Sequence, residues 1–162
     1  MPGEFPAEST VELRTEEDTV GFGRRLGALL RAGDLVLLAG PLGAGKTVLV
    51  RGIAEGMGVR GRVSSPTFVI AREHPAGAVG VPLVHVDAYR LGGDVEALDD
   101  LDLDTELSSA AVVVEWGEGI AERLSAEEHV LIRLRRTEDD TRIAHIEAAD
   151  FDRWGQFLQR IS

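Results

Sequence analysis

The stretch Leu35-Val36-Leu37-Leu38-Ala39-Gly40-Pro41-Leu42-Gly43-Ala44-Gly45-Lys46-Thr47 decides the fold. Its first five residues are an unbroken apolar run. So short a run, bounded by turn residues, predicts a strand buried on both faces. The next eight satisfy the pattern G-x-x-x-x-G-K-S/T at every fixed position. Glycines let the backbone turn its N–H groups inward and come close to an anion. A helix is predicted from Lys46 to about Met57, closed by Gly58, and its positive end faces the loop. Strand, loop and helix together predict a phosphate cradle. Lys46 is placed to reach the β and γ phosphates of a nucleotide, and the Thr47 hydroxyl to coordinate Mg²⁺. The plain alternative is a glycine-rich turn before a helix. Four fixed positions coincide by accident at roughly the one per cent level, and here the flanking elements fit as well.

The basic residues support the same reading. Of 17 lysines and arginines, only Lys46 is a lysine. Arginine serves wherever a generic positive charge suffices. The exception falls where a compact ammonium on a flexible stem must meet a phosphate, a task the planar guanidinium does not reproduce.

Outward from the loop, helices and strands alternate. Residues 1–9 read as a flexible tail, and 10–162 as a single domain. Thr10–Arg14 alternates like a strand. Thr15-Glu16-Glu17-Asp18 reads as a helix start, with Thr15 as N-cap and acids in the first turn. That helix is expected to reach about Ala32, with Phe22, Leu26, Leu29 and Leu30 on one face. Downstream, Thr67–Arg72, Leu83–Val86 and Ala111–Val114 are predicted strands. Asp94–Leu107 and Glu118–Leu124 are predicted to hold short helices. His129–Arg135 and Arg142–Glu147 look like strands paired around a turn at Thr137–Thr141. Phe151–Ile161 is an amphipathic helix, in which Trp154 and Phe157 are expected to pack into the core. This alternation predicts an α/β fold: a P-loop NTPase-like three-layer sandwich, with a mainly parallel sheet and helices on both faces.

Bulk properties narrow the classes. The chain has 162 residues, 44% of them apolar, and carries a net charge of −11. So acidic a surface disfavours direct binding to a nucleic acid backbone. With no cysteine, disulfides and thiolate metal sites are excluded. No apolar run approaches the ~18 residues of a membrane span. The first residues lack the basic start and apolar core of a signal peptide. A cytoplasmic protein with no membrane partner is the expectation.

A P-loop needs a carboxylate on a neighbouring strand to hold the magnesium shell. Asp87, after Leu83–Val86, and Glu115, after Ala111–Val114, both qualify, and spacing alone does not choose between them. Each also suits a helix cap or a surface position. Arg90 follows Asp87 closely and could stabilise γ-phosphate charge in cis; a plain salt bridge is the competing role. Thr67, in Ser65-Pro66-Thr67, sits where a switch segment would sense the γ-phosphate; an ordinary proline turn is its alternative. His85, inside an apolar strand, reads as a core residue or a support for the site rather than a general base. The acids from Asp94 to Glu106 could bind a cation, but read better as a solvated face.

Together, Gly40–Thr47, Ser65-Pro66-Thr67-Phe68, His85-Val86-Asp87-Ala88-Tyr89-Arg90-Leu91 and Val114-Glu115-Trp116 resemble the bacterial TsaE family. The resemblance covers roughly Thr15 to Arg142. It implies an ATPase required for threonylcarbamoyladenosine, a modified tRNA base beside the anticodon. Leu42, Gly43, Ala44, Gly45, Lys46 and Thr47 would wrap the phosphates of ATP. Thr47 and Glu115 would hold Mg²⁺. Asp87 would sit near the γ-phosphate and its water. Thr67 would belong to one switch loop, and Tyr89 and Arg90 to another. Trp116 would lie beside the site. Thr15, Glu16 and the turn Thr137–Arg142 would border the adenine. The implied partners are a TsaD-like and a TsaB-like protein, whose complex acts on tRNA. This chain would then meet tRNA only indirectly, as its acidity suits.

Two other classes stay open. A small phosphotransferase would need an acceptor pocket and an arginine-bearing lid, and no such arginine-rich insertion is visible. A binding module would use ATP to hold a shape, with hydrolysis negligible. A guanine-nucleotide switch needs an N/T-K-x-D motif, and the sole lysine already serves the loop.

Overall fold

The computed structural model describes residues 7–41, 44–59, 71–77, 80–88, 103–115, 129–148 and 154–157. Its elements are β1 (Ala7–Leu13), α1 (Glu16–Gly27), β2 (Leu35–Ala39), α2 (Lys46–Met57), β3 (Ala71–His74), β4 (Leu83–Asp87), α3 (Leu103–Leu107), β5 (Ala111–Glu115), β6 (His129–Arg136) and β7 (Arg142–Ala148). The seven strands form one sheet in the order β1-β7-β6-β2-β5-β4-β3.

β2 occupies the centre of that sheet, flanked in parallel by β5 and β6. Its five residues are all buried. Val36 and Leu38 enter one core cluster; Leu35, Leu37 and Ala39 enter the other. A strand whose two faces are both covered needs apolar residues at every position, so the run lacks the usual alternation. α1 and α2 contribute to the first cluster, together with Trp154 and Phe157. α3 contributes Leu103 and Leu107 to the second. The described helices therefore lie on both faces.

The sheet is mixed, which corrects the expectation of a mainly parallel one. β6-β2-β5-β4 pair in parallel. β1–β7, β6–β7 and β3–β4 are antiparallel. Connection length explains two of these three antiparallel pairs, β6–β7 and β3–β4, because a parallel crossover needs a dozen or more residues. The turn between β6 and β7 is too short for that, as is the link from His74 to Leu83. Two further boundaries shift. β1 begins at Ala7, so the last three residues of the expected tail pair with β7. α1 ends at Gly27, and Leu29 is 45% exposed rather than on the buried face.

α1 and α2 meet backbone to backbone. A Cβ added at Gly27 would lie 2.2 Å from the Ile53 carbonyl oxygen, and one at Gly52 would lie 2.4 Å from that of Val20. Gly23 and Gly56 are similarly close to the facing helix. Only residues without a side chain permit this approach. It fixes α2, and with it the loop at its start, against the rest of the core.

Candidate functional site

The two long helices begin in opposite ways. At α1, the Thr15 hydroxyl accepts from the Asp18 N–H at 3.0 Å, and Asp18 Oδ2 accepts from the Thr15 N–H at 3.2 Å. Glu16, Glu17 and Asp18 fill the first turn. The orphan N–H groups and the positive dipole end are thus largely satisfied. At α2, the N-cap is Gly45 in the left-handed region (φ 101°), with no side-chain cap and no acid in the first turn. In place of an acid stands Lys46. Such a terminus is a poor helix start but a suitable seat for an anion.

Lys46 is buried, and its ammonium donates to the Gly40 carbonyl, so the charge lies against the loop. Gly40 sits at φ 153°, and a Cβ there would be 2.5 Å from the Leu134 carbonyl oxygen. No other residue fits between the end of β2 and β6. The Arg142 guanidinium reaches over the loop: its Nε would be 3.5 Å from a Cβ at Gly45.

The neighbouring strand supplies the carboxylate. β5 runs parallel to β2 with Leu38 opposite Glu115. The Glu115 side chain therefore arrives at the end of the strand that launches the loop. The Thr47 hydroxyl donates to Glu115 Oε1 at 3.2 Å. Glu115 is 5% exposed. A hydroxyl and a carboxylate, both oxygen donors, suit a hard cation such as Mg²⁺. Asp87 ends β4 directly opposite Glu115 in the register. Both acids thus stand at the C-terminal edge of the parallel strands, where open α/β sheets bind ligands.

His85 is fully buried, with Nε2 3.3 Å from Glu115 Oε2. This agrees with a supporting role rather than that of a general base. Thr15 acts as the α1 cap, and Glu16 accepts from Arg51 of α2 at 2.7 Å. The β6–β7 turn lines a cleft of about 630 Å³ through Thr137, Glu138, Asp139 and Thr141, together with Glu12, Arg14 and Ile143. Thr15 and Glu16 are not among its lining residues. Leu42, Gly43, Thr67, Tyr89, Arg90 and Trp116 lie outside the described residues.

In that turn, the Asp139 carboxyl is held below the usual carboxylate range, first by the Thr137 hydroxyl and then by the backbone and side chain of Thr141. Thr137 Oγ1 and the Thr141 N–H both donate to Asp139 Oδ1. Asp140 takes a left-handed φ of 67°, which an aspartate tolerates in a tight turn.

Three comparisons with known proteins agree. The model of the family "Threonylcarbamoyl adenosine biosynthesis protein TsaE" matches residues 13–144. A curated Streptomyces coelicolor protein, "tRNA threonylcarbamoyladenosine biosynthesis protein TsaE", is 56% identical over 136 residues, covering 82% of this chain and 91% of its own. The Bacillus subtilis protein of the same description is 39% identical over 127 residues, covering 78% and 77%. The crystal structure of Bacillus subtilis YdiB aligns with a TM-score of 0.75 at 28% identity, covering 96% of both chains.

Proposed function

This chain belongs to the TsaE family, named for tRNA threonylcarbamoyladenosine biosynthesis, and on that premise we propose that it is a magnesium-dependent ATPase of P-loop type serving that pathway. The observation that carries the reading is the contact between Thr47, first-turn residue of the helix after the glycine loop, and Glu115, at the end of the adjacent parallel strand. A triphosphate over the loop would meet three features at once. The first-turn N–H groups of α2, which no N-cap side chain occupies, would face the anion. The Lys46 ammonium would exchange the Gly40 carbonyl for phosphate oxygens. Thr47 and Glu115 would hold the Mg²⁺, whose charge offsets that of the phosphates. Asp87, opposite Glu115, would orient the attacking water, with Thr67 and Arg90 completing the γ-phosphate site. Gly40 keeps the loop tight against β6, and Arg142 adds positive charge at its rim. The P-loop NTPase-like reading of the fold rests on the same arrangement: a central strand, its loop, and the parallel strands β5 and β4 with acids at their ends.

The acidic chain needs no nucleic acid site of its own in this reading. TsaD-like and TsaB-like proteins would hold the tRNA, and ATP binding and hydrolysis here would drive their turnover. Direct phosphotransfer to a small acceptor, or ATP as a mere structural ligand, are the competing readings. The test has two parts: ATP titrated with and without Mg²⁺, and capture of the native partners with and without ATP. Tighter ATP binding with Mg²⁺ and ATP-dependent recovery of a TsaD-like protein are expected. No ATP binding under any Mg²⁺ concentration would sink the ATPase reading; phosphorylation of a small acceptor would favour the kinase.

A further inference from the structure

His85 is one residue of the described core that packing alone does not explain. It lies in β4 between Val84 and Val86, with Val113 opposite it in β5, and has no exposed surface. An aliphatic side chain would fill such a place at no polar cost. The imidazole brings two nitrogens, and neither has a hydrogen-bond partner among the described residues. A buried polar atom left so costs about 1–3 kcal/mol, and one that persists calls for an explanation in function.

What Nε2 faces is Glu115 Oε2, at 3.3 Å. The other oxygen of the same carboxylate, Oε1, accepts from the Thr47 hydroxyl. The carboxylate is therefore bracketed, with the loop threonine on one oxygen and the buried ring on the other. A glutamate's terminal torsion is soft and roughly two-fold, so the backbone alone does not set its direction. With its proton on Nε2 the ring sets the positive end of its dipole 3.3 Å from Oε2, an electrostatic contact rather than a hydrogen bond, whereas a lone pair there would repel it.

We infer that His85 is a positioning residue: its Nε2 edge braces Glu115 Oε2 and so keeps Oε1 aimed at Thr47 and the cation they share. The inference rests on the proposed cation role of Thr47 and Glu115. Outer partners of metal-holding carboxylates commonly carry a ten- to hundredfold share of metal affinity.

The test uses His85→Asn, His85→Gln and Glu115→Gln in the full chain, with ATP affinity measured calorimetrically across a Mg²⁺ series and without Mg²⁺. A glutamine amide reaches the place of Nε2; an asparagine amide reaches only that of Nδ1. His85→Asn is expected to raise the Mg²⁺ needed for half-maximal tightening about tenfold or more. His85→Gln should stay much nearer the unaltered chain, and ATP affinity without Mg²⁺ should be unchanged in both. Superimposable Mg²⁺ curves for Asn and Gln would overturn the brace. So would a His85→Asn chain that also loses Mg²⁺-free ATP binding, since it reports a damaged core. If Glu115→Gln shifts the curve and His85→Asn does not, only the brace is lost. If Glu115→Gln leaves the curve unmoved, the cation reading itself fails, and the brace with it.

Discussion

The Thr47 hydroxyl and Glu115 Oε1 lie 3.2 Å apart although 68 residues separate them in the chain. One residue stands in the first turn of the helix after the glycine loop; the other closes the strand beside it. On the proposed reading, that meeting gives Glu115 the cation and leaves Asp87 the attacking water. Glu115→Ala should weaken Mg²⁺-dependent nucleotide binding about tenfold or more, whereas Asp87→Ala should mainly slow hydrolysis. Paired titrations and rate assays check this, and the opposite ranking would reverse the two roles.

Lys46 is the chain's single lysine and lies against the loop. Lys46→Ala should leave the fold intact and reduce ATP affinity roughly ten- to hundredfold, the scale of a lost charge-assisted hydrogen bond. In the unaltered chain, an amine-acylating reagent should modify only the N-terminus and Lys46, with Lys46 the slower because it is buried. Saturating Mg-ATP should protect Lys46. Equal labelling with and without ATP, read by mass spectrometry, would count against contact with the nucleotide.

Gly27 has no room for a methyl group, since the Ile53 carbonyl oxygen would stand 2.2 Å from it. Gly27→Ala gains helix propensity, yet the helices must separate to admit it. Overpacking of this kind costs about 1–3 kcal/mol. The melting temperature should therefore fall by several degrees rather than rise. Gly21→Ala in the same helix, where nothing lies within 4 Å, should be neutral or slightly stabilising. Thermal denaturation of the pair separates crowding from propensity.

Asp139 gives a pH dependence with a definite sign. Its folded-state carboxyl titrates below the ordinary value because the Thr137 hydroxyl and Thr141 bond to the charged form. A depressed carboxylate stabilises the folded turn above its unfolded pKa, and that contribution is lost as pH falls through the folded one. The β6–β7 turn should thus stay ordered at neutral pH and loosen below about pH 4. Carboxyl chemical shifts followed by NMR would show it, and Thr137→Val should move the Asp139 midpoint upward. An unmoved midpoint would remove Thr137 as the cause.

Several elements were legible because their causes are local. Thr15 and Asp18 cap α1 through atoms three residues apart. The loop from Gly40 to Thr47 needs glycine where the backbone is crowded or left-handed, so the residue types announce the geometry. β4 and β5 end in the acids their apolar runs point to. The mixed sheet was harder to read: single strands carry no mark of their partner's direction, the short links before β4 and β7 hold it for two pairs, and no link holds it for β1 and β7. The packing of α1 on α2 went unread because each glycine alone looks like a weak point in a helix. Only the facing backbone shows what it admits.

By itself, the sequence determined the glycine-loop motif, its lysine, the helix that follows and two candidate acids, because each depends on neighbours a few residues away. Tertiary structure alone decided that Glu115 meets Thr47, that His85 stands behind Glu115, and that Arg142 overhangs Gly45. Those contacts depend on strand order and register, which are set when the whole core packs and are carried by no short segment.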